Sequence, residues 1–402
     1  MNKVSITGGR LYLRSFAVIS LIILITAVSA RLRADAGTCG GQMITLPFTD
    51  VPAANGFFCS IAESYFSALA NGTSPTTFSP ATDVTREQMA AFITRTQDSA
   101  LRRGSRRAAL KQWETPTSFP DSALTVVDAN PELVAADGAD LWVANGAGTV
   151  SRVRASDGRL LETWTGATQA SGVLVARGRI FVTGLTSPGK LYKIDPRQPA
   201  GAVSTVASTL GDRPTGITTD GSFIWTANDF GHSVSRVNPD RAVTTFTTGI
   251  SSPYGILYDG GNVWITDLGG STLKKLNSDG SVAQTVPVGE NPLSAVFDGT
   301  NIWVANANSN SLTVVRAAGS LSGTVLATLT GNGLNFPRGI AFDGQRILVA
   351  NGNGDSVSLW KAADLTPIGS VSTGAGTSPA GTCSDGINFW ITFPGSSRLA
   401  RF

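Results

Sequence analysis

Histidine is the scarcest chemistry-bearing residue in this 402-residue chain: there is one, His232. One histidine cannot supply the paired histidines on which many metal-assisted active sites depend. Cysteine is almost as rare, with three, which excludes a disulfide-dense scaffold and allows one pair with one thiol left over. Charged residues make up only 15% of the chain, and no basic face accumulates along its length, so nucleic acid is not expected as a partner. Long apolar runs are missing beyond residue 30. No membrane span is therefore expected in the mature protein.

What the chain has instead is glycine, 45 residues of it, and a phrase that recurs seven times. The phrase begins at a Pro-like residue, has Asp-Gly six residues on, a bulky apolar residue at plus eleven, and usually Asn or Asp at plus fourteen. It reads PELVAADGADLWVAN from Pro131, PTGITTDGSFIWTAN from Pro214, PYGILYDGGNVWITD from Pro253 and PLSAVFDGTNIWVAN from Pro292. It continues as PRGIAFDGQRILVAN from Pro337 and PAGTCSDGINFWITF from Pro379, and a degenerate copy, ASGVLVARGRIFVTG, starts at Ala170. The starts lie 39 to 45 residues apart, a period that marks repeats able to bury a core only by stacking.

Each repeat divides into four short strands. The first runs to the Asp-Gly, which predicts a two-residue type I′ hairpin turn. The second carries Ile, Val or Leu at plus ten and plus twelve. Its other face, at plus eleven, carries Trp142, Phe181, Trp225, Trp264, Trp303, Leu348 or Trp390. Both faces are apolar, so both are covered. Two further strands follow, for example around residues 312–315 and 325–329. Seven four-stranded units with two apolar faces describe a mainly β, seven-bladed β-propeller; six blades with stray strands is the other count the pattern allows. The last repeat has only three strands, and residues 123–128 read as an orphan fourth strand that would close the ring by completing it.

The segment before the repeats has a different character. Lys3, Arg10 and Arg14 precede the apolar stretch 15–30, and small residues follow, a secretory signal with cleavage after Ala30 or Ala36, or else a retained anchor. Without residues 1–36 the chain has 26 basic and 27 acidic residues, so the basic pI belongs to the signal. Export makes a disulfide between Cys39 and Cys59, close in sequence, the expected pairing; Cys383 falls in a first strand and reads as a small core residue. Ile61, Tyr65, Phe66 and Leu69 mark one helix, and Thr85–Gln88 open a second over 89–95. Arg95, Arg102, Arg103, Arg106, Arg107 and Lys111 form a basic stretch, with residues 98–120 read as helix and linker.

Within residues 37–97, Phe48, Asp50, Val51, Asn71, Gly72, Phe78, Pro80 and Val84 to Arg86 follow a pattern that resembles the S-layer homology module. The resemblance implies a small helical domain attached to envelope polysaccharide, with Arg86 facing an anionic sugar group and Asp50 ordering the fold. A helical cap on the propeller is the alternative. Residues 121–402, through phrases such as IWVANANSNSLTVV, resemble NHL and YVTN-type repeats and the virginiamycin B lyase group of seven-bladed propellers. That group implies a lyase with a histidine base and a metal held by acidic residues at one mouth of the axis, Mg²⁺ or Ca²⁺ being the expected ion if the chain is an enzyme.

The loops that share that mouth offer Asn145, Asn228, Asp229, Asp267, Asn306, Asn308, Asn351 and Asp355, with Asn130, Arg213, Glu290, Asn291 and Arg338 on the incoming side. For binding, Asn145, Asn228, Asn306, Asn351, Arg213 and Arg338 are the candidates. For catalysis, His232 would be the base, with Asp229, Asp267 and Glu290 as metal or orienting carboxylates. The plus-fourteen Asn has a structural use as well, since its amide bonds loop backbone. Three functions follow: an exported, monomeric propeller at the cell surface or in the periplasm binding a surface protein or glycan, a lyase or lactonase, or a passive envelope component.

Overall fold

A computed structural model describes residues 36–103, 114 and 124–402. The signal stretch and most of the basic linker lie outside the described residues. From residue 124 onward the chain forms seven four-stranded antiparallel sheets, each running first to fourth strand outward from the axis. Blade 1 is built from Pro131–Ala136, Asp140–Asn145, Thr149–Arg154 and Leu160–Thr165. Blades 2 to 6 repeat this order from Ala170, Pro214, Pro253, Pro292 and Pro337. Blade 7 takes three strands from the C-terminus, Thr382–Ser384, Phe389–Phe393 and Arg398–Arg401, and its fourth, Leu124–Val126, from the other end of the ring. Leu124 pairs with Ala400 and Val126 with Arg398, so the circle is closed by backbone hydrogen bonds and the six-blade count is excluded. Neighbouring first strands touch all the way round, from blade 7 back to blade 1.

The phrase works as a hydrogen-bonding unit. In blade 5, Asp298 accepts from the N–H groups of Thr300 at 2.8 Å and Asn301 at 2.7 Å and from Trp303 Nε1 at 2.8 Å. The same Asp–Trp bond recurs at Asp137–Trp142, Asp220–Trp225, Asp259–Trp264 and Asp385–Trp390. The turn is thus an Asx turn with only the glycine left-handed, as at Gly138 with φ 97°. The type I′ turn expected there is found only where the Asp is missing, at Arg177 (φ 53°) and Gly178 (φ 66°) of blade 2. An aspartate that binds the next two N–H groups makes the tighter turn unnecessary. Opposite each buried Trp a cation often lies across the strand: Arg152 faces Trp142, Arg236 faces Trp225 and Lys275 faces Trp264, 5.1 to 5.5 Å from the ring centres. Where Leu348 replaces Trp, Arg346 Nε bonds Asp343 instead, at 2.8 Å.

Glycines two residues after the start in five of the seven blades set how close the blades come. A Cβ at Gly339 would lie 1.9 Å from the Ala380 carbonyl oxygen and one at Gly381 2.2 Å from that of Glu132. Threonines stitch the same seam: Thr215 Oγ1 donates to the Tyr254 carbonyl at 2.8 Å and Thr392 Oγ1 to that of Glu132 at 2.6 Å.

The N-terminal residues form a hairpin, Ala36–Cys39 with Gln42–Thr45, and two helices, α1 (Phe58–Phe66) and α2 (Arg86–Arg103). The Cys39–Cys59 disulfide joins hairpin to α1. Helix α2 starts three residues earlier than expected and runs on past Arg95, because Thr85 and Gln88 cap it reciprocally, at 3.2 and 2.9 Å. Phe48, Ile61, Tyr65 and Phe66 merge into one apolar core with Trp303 and Trp360 of blades 5 and 6. At that junction Arg316, 3% exposed, donates from Nη1 to the Phe66 carbonyl at 3.1 Å and from Nη2 to that of Tyr65 at 2.5 Å. Asn301 Nδ2 adds a bond to Phe66 at 2.9 Å. The partners are carbonyls at the end of α1, where the helix dipole is negative.

Candidate functional site

Two sets of loops meet at the mouth where every first strand begins. The residue before the start is left-handed in six of seven blades: Asn130, Gln169, Arg213, Asn291, Phe336 and Ser378, with φ between 46° and 55°. Its carbonyl accepts from the N–H fifteen residues after the start, as in Gly146 to Asn130 at 2.7 Å and Asp229 to Arg213 at 3.2 Å. Eighteen residues after the start a second left-handed position recurs at His232, Ser271, Asn310, Asp355 and Ser397. The backbone of His232 is therefore a repeat feature, and only its imidazole is particular to blade 3.

The plus-fourteen side chains point away from any ligand. Asn145, Asn228, Asn306 and Asn351 are each 0% exposed. Their amides donate to hydroxyls of the third strand: Asn228 to Ser233 and Ser235 at 3.1 and 2.9 Å, Asn306 to Ser311 and Thr313 at 3.1 and 2.9 Å. Asn145 and Asn351 do the same with Thr149 and Ser151, and with Ser356 and Ser358. Burial turns these four expected binding residues into struts for the loop.

Blade 4 departs from the pattern. Asp267 stands in the Asn position, fully buried, and accepts from Ser251 N at 3.0 Å, Ser252 N at 2.7 Å and Lys274 Nζ. Ser252 in turn gives its hydroxyl proton to Asp229, and His232 Nδ1 meets the Ser251 carbonyl. A carbonyl only accepts, so Nδ1 is the donor of that bond. His232, Asp229 and Asp267 are thus gathered around one segment, 251–252, while Glu290 belongs to the next junction, where its backbone bonds Ser309 Oγ and Asn308 N. Among the described residues no three His, Cys, Asp or Glu side chains are placed to share a metal ion. With Asp267 committed to Lys274 and two N–H groups, the Mg²⁺ or Ca²⁺ donor set expected from Asp229, Asp267 and Glu290 does not fit these residues.

What converges on the axis is the position one residue after each start. Its occupants are Glu132, Ser171, Thr215, Tyr254, Leu293, Arg338 and Ala380, and they line a central cavity of about 170 Å³. Arg338 Nη2 lies 3.9 Å from Glu132 Oε2, and Asn130 Nδ2 donates to Glu132 Oε1 at 3.0 Å. Burial pushes the Tyr254 phenol above its ordinary value; Arg338 opposes this, whereas Glu132 and Asp229 add to it. A second hollow of about 330 Å³ adjoins, lined by Asn130, Glu132, Gln169, Leu185 and Arg213. Arg213 stacks on Phe230, 4.1 Å from the ring centre, and that ring is 59% exposed. Arg213 and Arg338 were expected at the mouth and stand there; Glu132 and Tyr254 were not. The signal for them is in the phrase itself, whose second column is its most variable.

In the N-terminal part Asp50 accepts from the N–H groups of Phe78 at 2.8 Å and Ser79 at 2.7 Å. Desolvation would raise its pKa, but these bonds outweigh it and hold the carboxyl below the ordinary value. Arg86 is exposed at the start of α2. Cys383, the free cysteine, packs beside Trp390 and Leu399, and burial drives its thiol well above the ordinary range, so it stays protonated and unreactive.

No family model matches the chain, and no curated protein matches it in sequence. Solved structures do match its fold. Virginiamycin B lyase from Staphylococcus aureus superposes with a TM-score of 0.58 at 15% identity, over 69% of this chain and 98% of that one. Hydrazine synthase of Kuenenia stuttgartiensis gives 0.57 at 16% identity, over 71% and 99%, and the WD40 domain of Doa1 0.59 at 14%, over 72% and 96%. At such identities the likeness defines a class, the seven-bladed β-propeller, and the diversity of these neighbours assigns no activity.

Proposed function

We propose that this chain is an exported β-propeller of the cell surface or periplasm that binds a protein or glycan at its axial mouth. One observation carries the reading: the most variable column of the repeat is the one facing the axis, and it gathers Glu132, Tyr254 and Arg338 there. Phe230 and Arg213 extend the surface outward, an exposed aromatic face beside a guanidinium, which suits sugar rings and peptide side chains alike. The N-terminal residues, read as an S-layer homology-like module, would serve attachment, with Arg86 on their exposed side; the Cys39–Cys59 bond weakly favours an oxidising, exported compartment. The test is retention of the purified protein on isolated envelope polysaccharide and on envelope proteins. Arg213→Ala with Phe230→Ala should abolish retention at unchanged melting temperature, and equal retention would sink the reading.

A lyase is the second reading, favoured by His232 meeting the segment that carries the Ser252–Asp229 pair. It requires turnover that is lost in His232→Ala and restored by no metal. Turnover equal to the parent in that variant removes His232 from the chemistry.

A further inference from the structure

We infer that the axial cavity takes a small zwitterion with an apolar tail, of which an α-amino acid with a branched-alkyl or single-ring side chain is the simplest form. The inference rests on the mouth being the ligand site and names the group that would enter it. Below the charged collar the wall is mainly apolar: Val134, Val173, Ile217, Ile256, Ala295 and Ile340 line it, with Thr382 completing the ring. Its volume, about 170 Å³, is comparable to the roughly 150 Å³ that holds a benzene-sized guest. The space cannot easily close, because the glycines behind it already bring the blades to carbonyl contact, with 2.6 Å from a Gly216 Cβ to the Tyr254 oxygen and 2.7 Å from Gly255 to that of Leu293.

The collar selects the head group. Arg338 and Glu132 are 3.9 Å apart, too far for a hydrogen bond and close enough that both charges act on one guest. A lone carboxylate would gain from Arg338 and lose to Glu132; a lone ammonium would do the reverse. A zwitterion satisfies both, its carboxylate against the Arg338 guanidinium and the Tyr254 hydroxyl, its ammonium against Glu132. A phenol kept protonated by its surroundings can donate to that carboxylate.

Isothermal titration of the full mature chain tests this with L-leucine and L-phenylalanine, against glycine, 3-phenylpropanoate and phenethylamine. Leucine or phenylalanine should bind saturably at millimolar concentration or below, and each analogue lacking tail, ammonium or carboxylate should bind about tenfold or more weakly. Glu132→Gln, which keeps shape, should weaken phenylalanine but not 3-phenylpropanoate; Ile217→Phe, which fills the throat, should abolish binding. Equal affinity for glycine, equal affinity for 3-phenylpropanoate, or no binding by either amino acid overturns the inference. Envelope retention that depends on Arg213 and Phe230 while no amino acid binds overturns the zwitterion and leaves the mouth-binding reading intact. Loss of both overturns both.

Discussion

At the scale of single residues the Asp of each phrase does more than turn the chain. Asp298 is 1% exposed and satisfies three donors, two backbone and one indole. Asp298→Ala leaves all three buried without a partner, at roughly 1 to 3 kcal/mol for each unmade bond. A loss of about 3 kcal/mol or more is expected in denaturant unfolding. Carboxylates of this kind also set the acid limit. Burial alone would raise Asp137, but Trp142 and the N–H groups of Asp140 and Ala139 hold it below 3.8. Asp355 is held down chiefly by the Ser378 N–H, against a desolvation effect, with Gly376 and Thr377 assisting. A depressed folded-state pKa contributes stability above the unfolded value and loses it as pH falls through the folded one. Melting temperature should therefore be flat near neutrality and fall below about pH 4, with a shallower fall in Asp355→Asn.

Whole elements explain why the N-terminal helix belongs to the propeller. Arg316 has been taken out of water with helix-end carbonyls in place of a carboxylate, and desolvation lowers its pKa against the opposing influence of Tyr65 and Asp298. Replacing it by Met removes two charge-assisted bonds, although Asn301 still serves the Phe66 carbonyl and the Ala68 N–H that of Tyr65, so about 2 kcal/mol should be lost. Limited proteolysis should then cut first within residues 36–103 while the blades stay resistant. The element pattern itself was legible: strand boundaries followed the two-residue alternation, and Cys39–Cys59 followed from closeness in sequence. The Asx turn was not, because Asp-Gly suits either turn and the aspartate's bonds to the N–H groups two and three residues on decide between them, even at Asp343 where no Trp follows. The plus-fourteen Asn was misleading for a related reason. A polar residue at a loop edge looks available until its hydroxyl partners on the third strand, four to seven residues on, are seen to hold it.

On the scale of the molecule, ring closure is the feature on which stability should depend most. The fourth strand of blade 7 is only Leu124–Val126, yet it covers an edge that would otherwise expose unpaired backbone groups. Replacing these three residues by glycine should lower the melting temperature and promote concentration-dependent association, both readable by light scattering during a thermal ramp. Unchanged melting would show that the ring holds without its clasp.

The repeat, its strand order, the closing strand and the disulfide were determined by the sequence alone, since each depends on a pattern repeated every 39 to 45 residues or on partners close along the chain, whereas seven blades rather than six was decided by the pairing of Leu124–Val126 with Arg398–Arg401. The meeting of Glu132, Tyr254 and Arg338 was decided only in three dimensions. They come from blades 1, 4 and 6, and no local pattern links them; the curvature of seven stacked sheets turns the same strand position of every blade toward one axis. The same curvature placed the Ser251–Ser252 backbone between His232 and Asp267, which gave those residues a partner other than a metal ion.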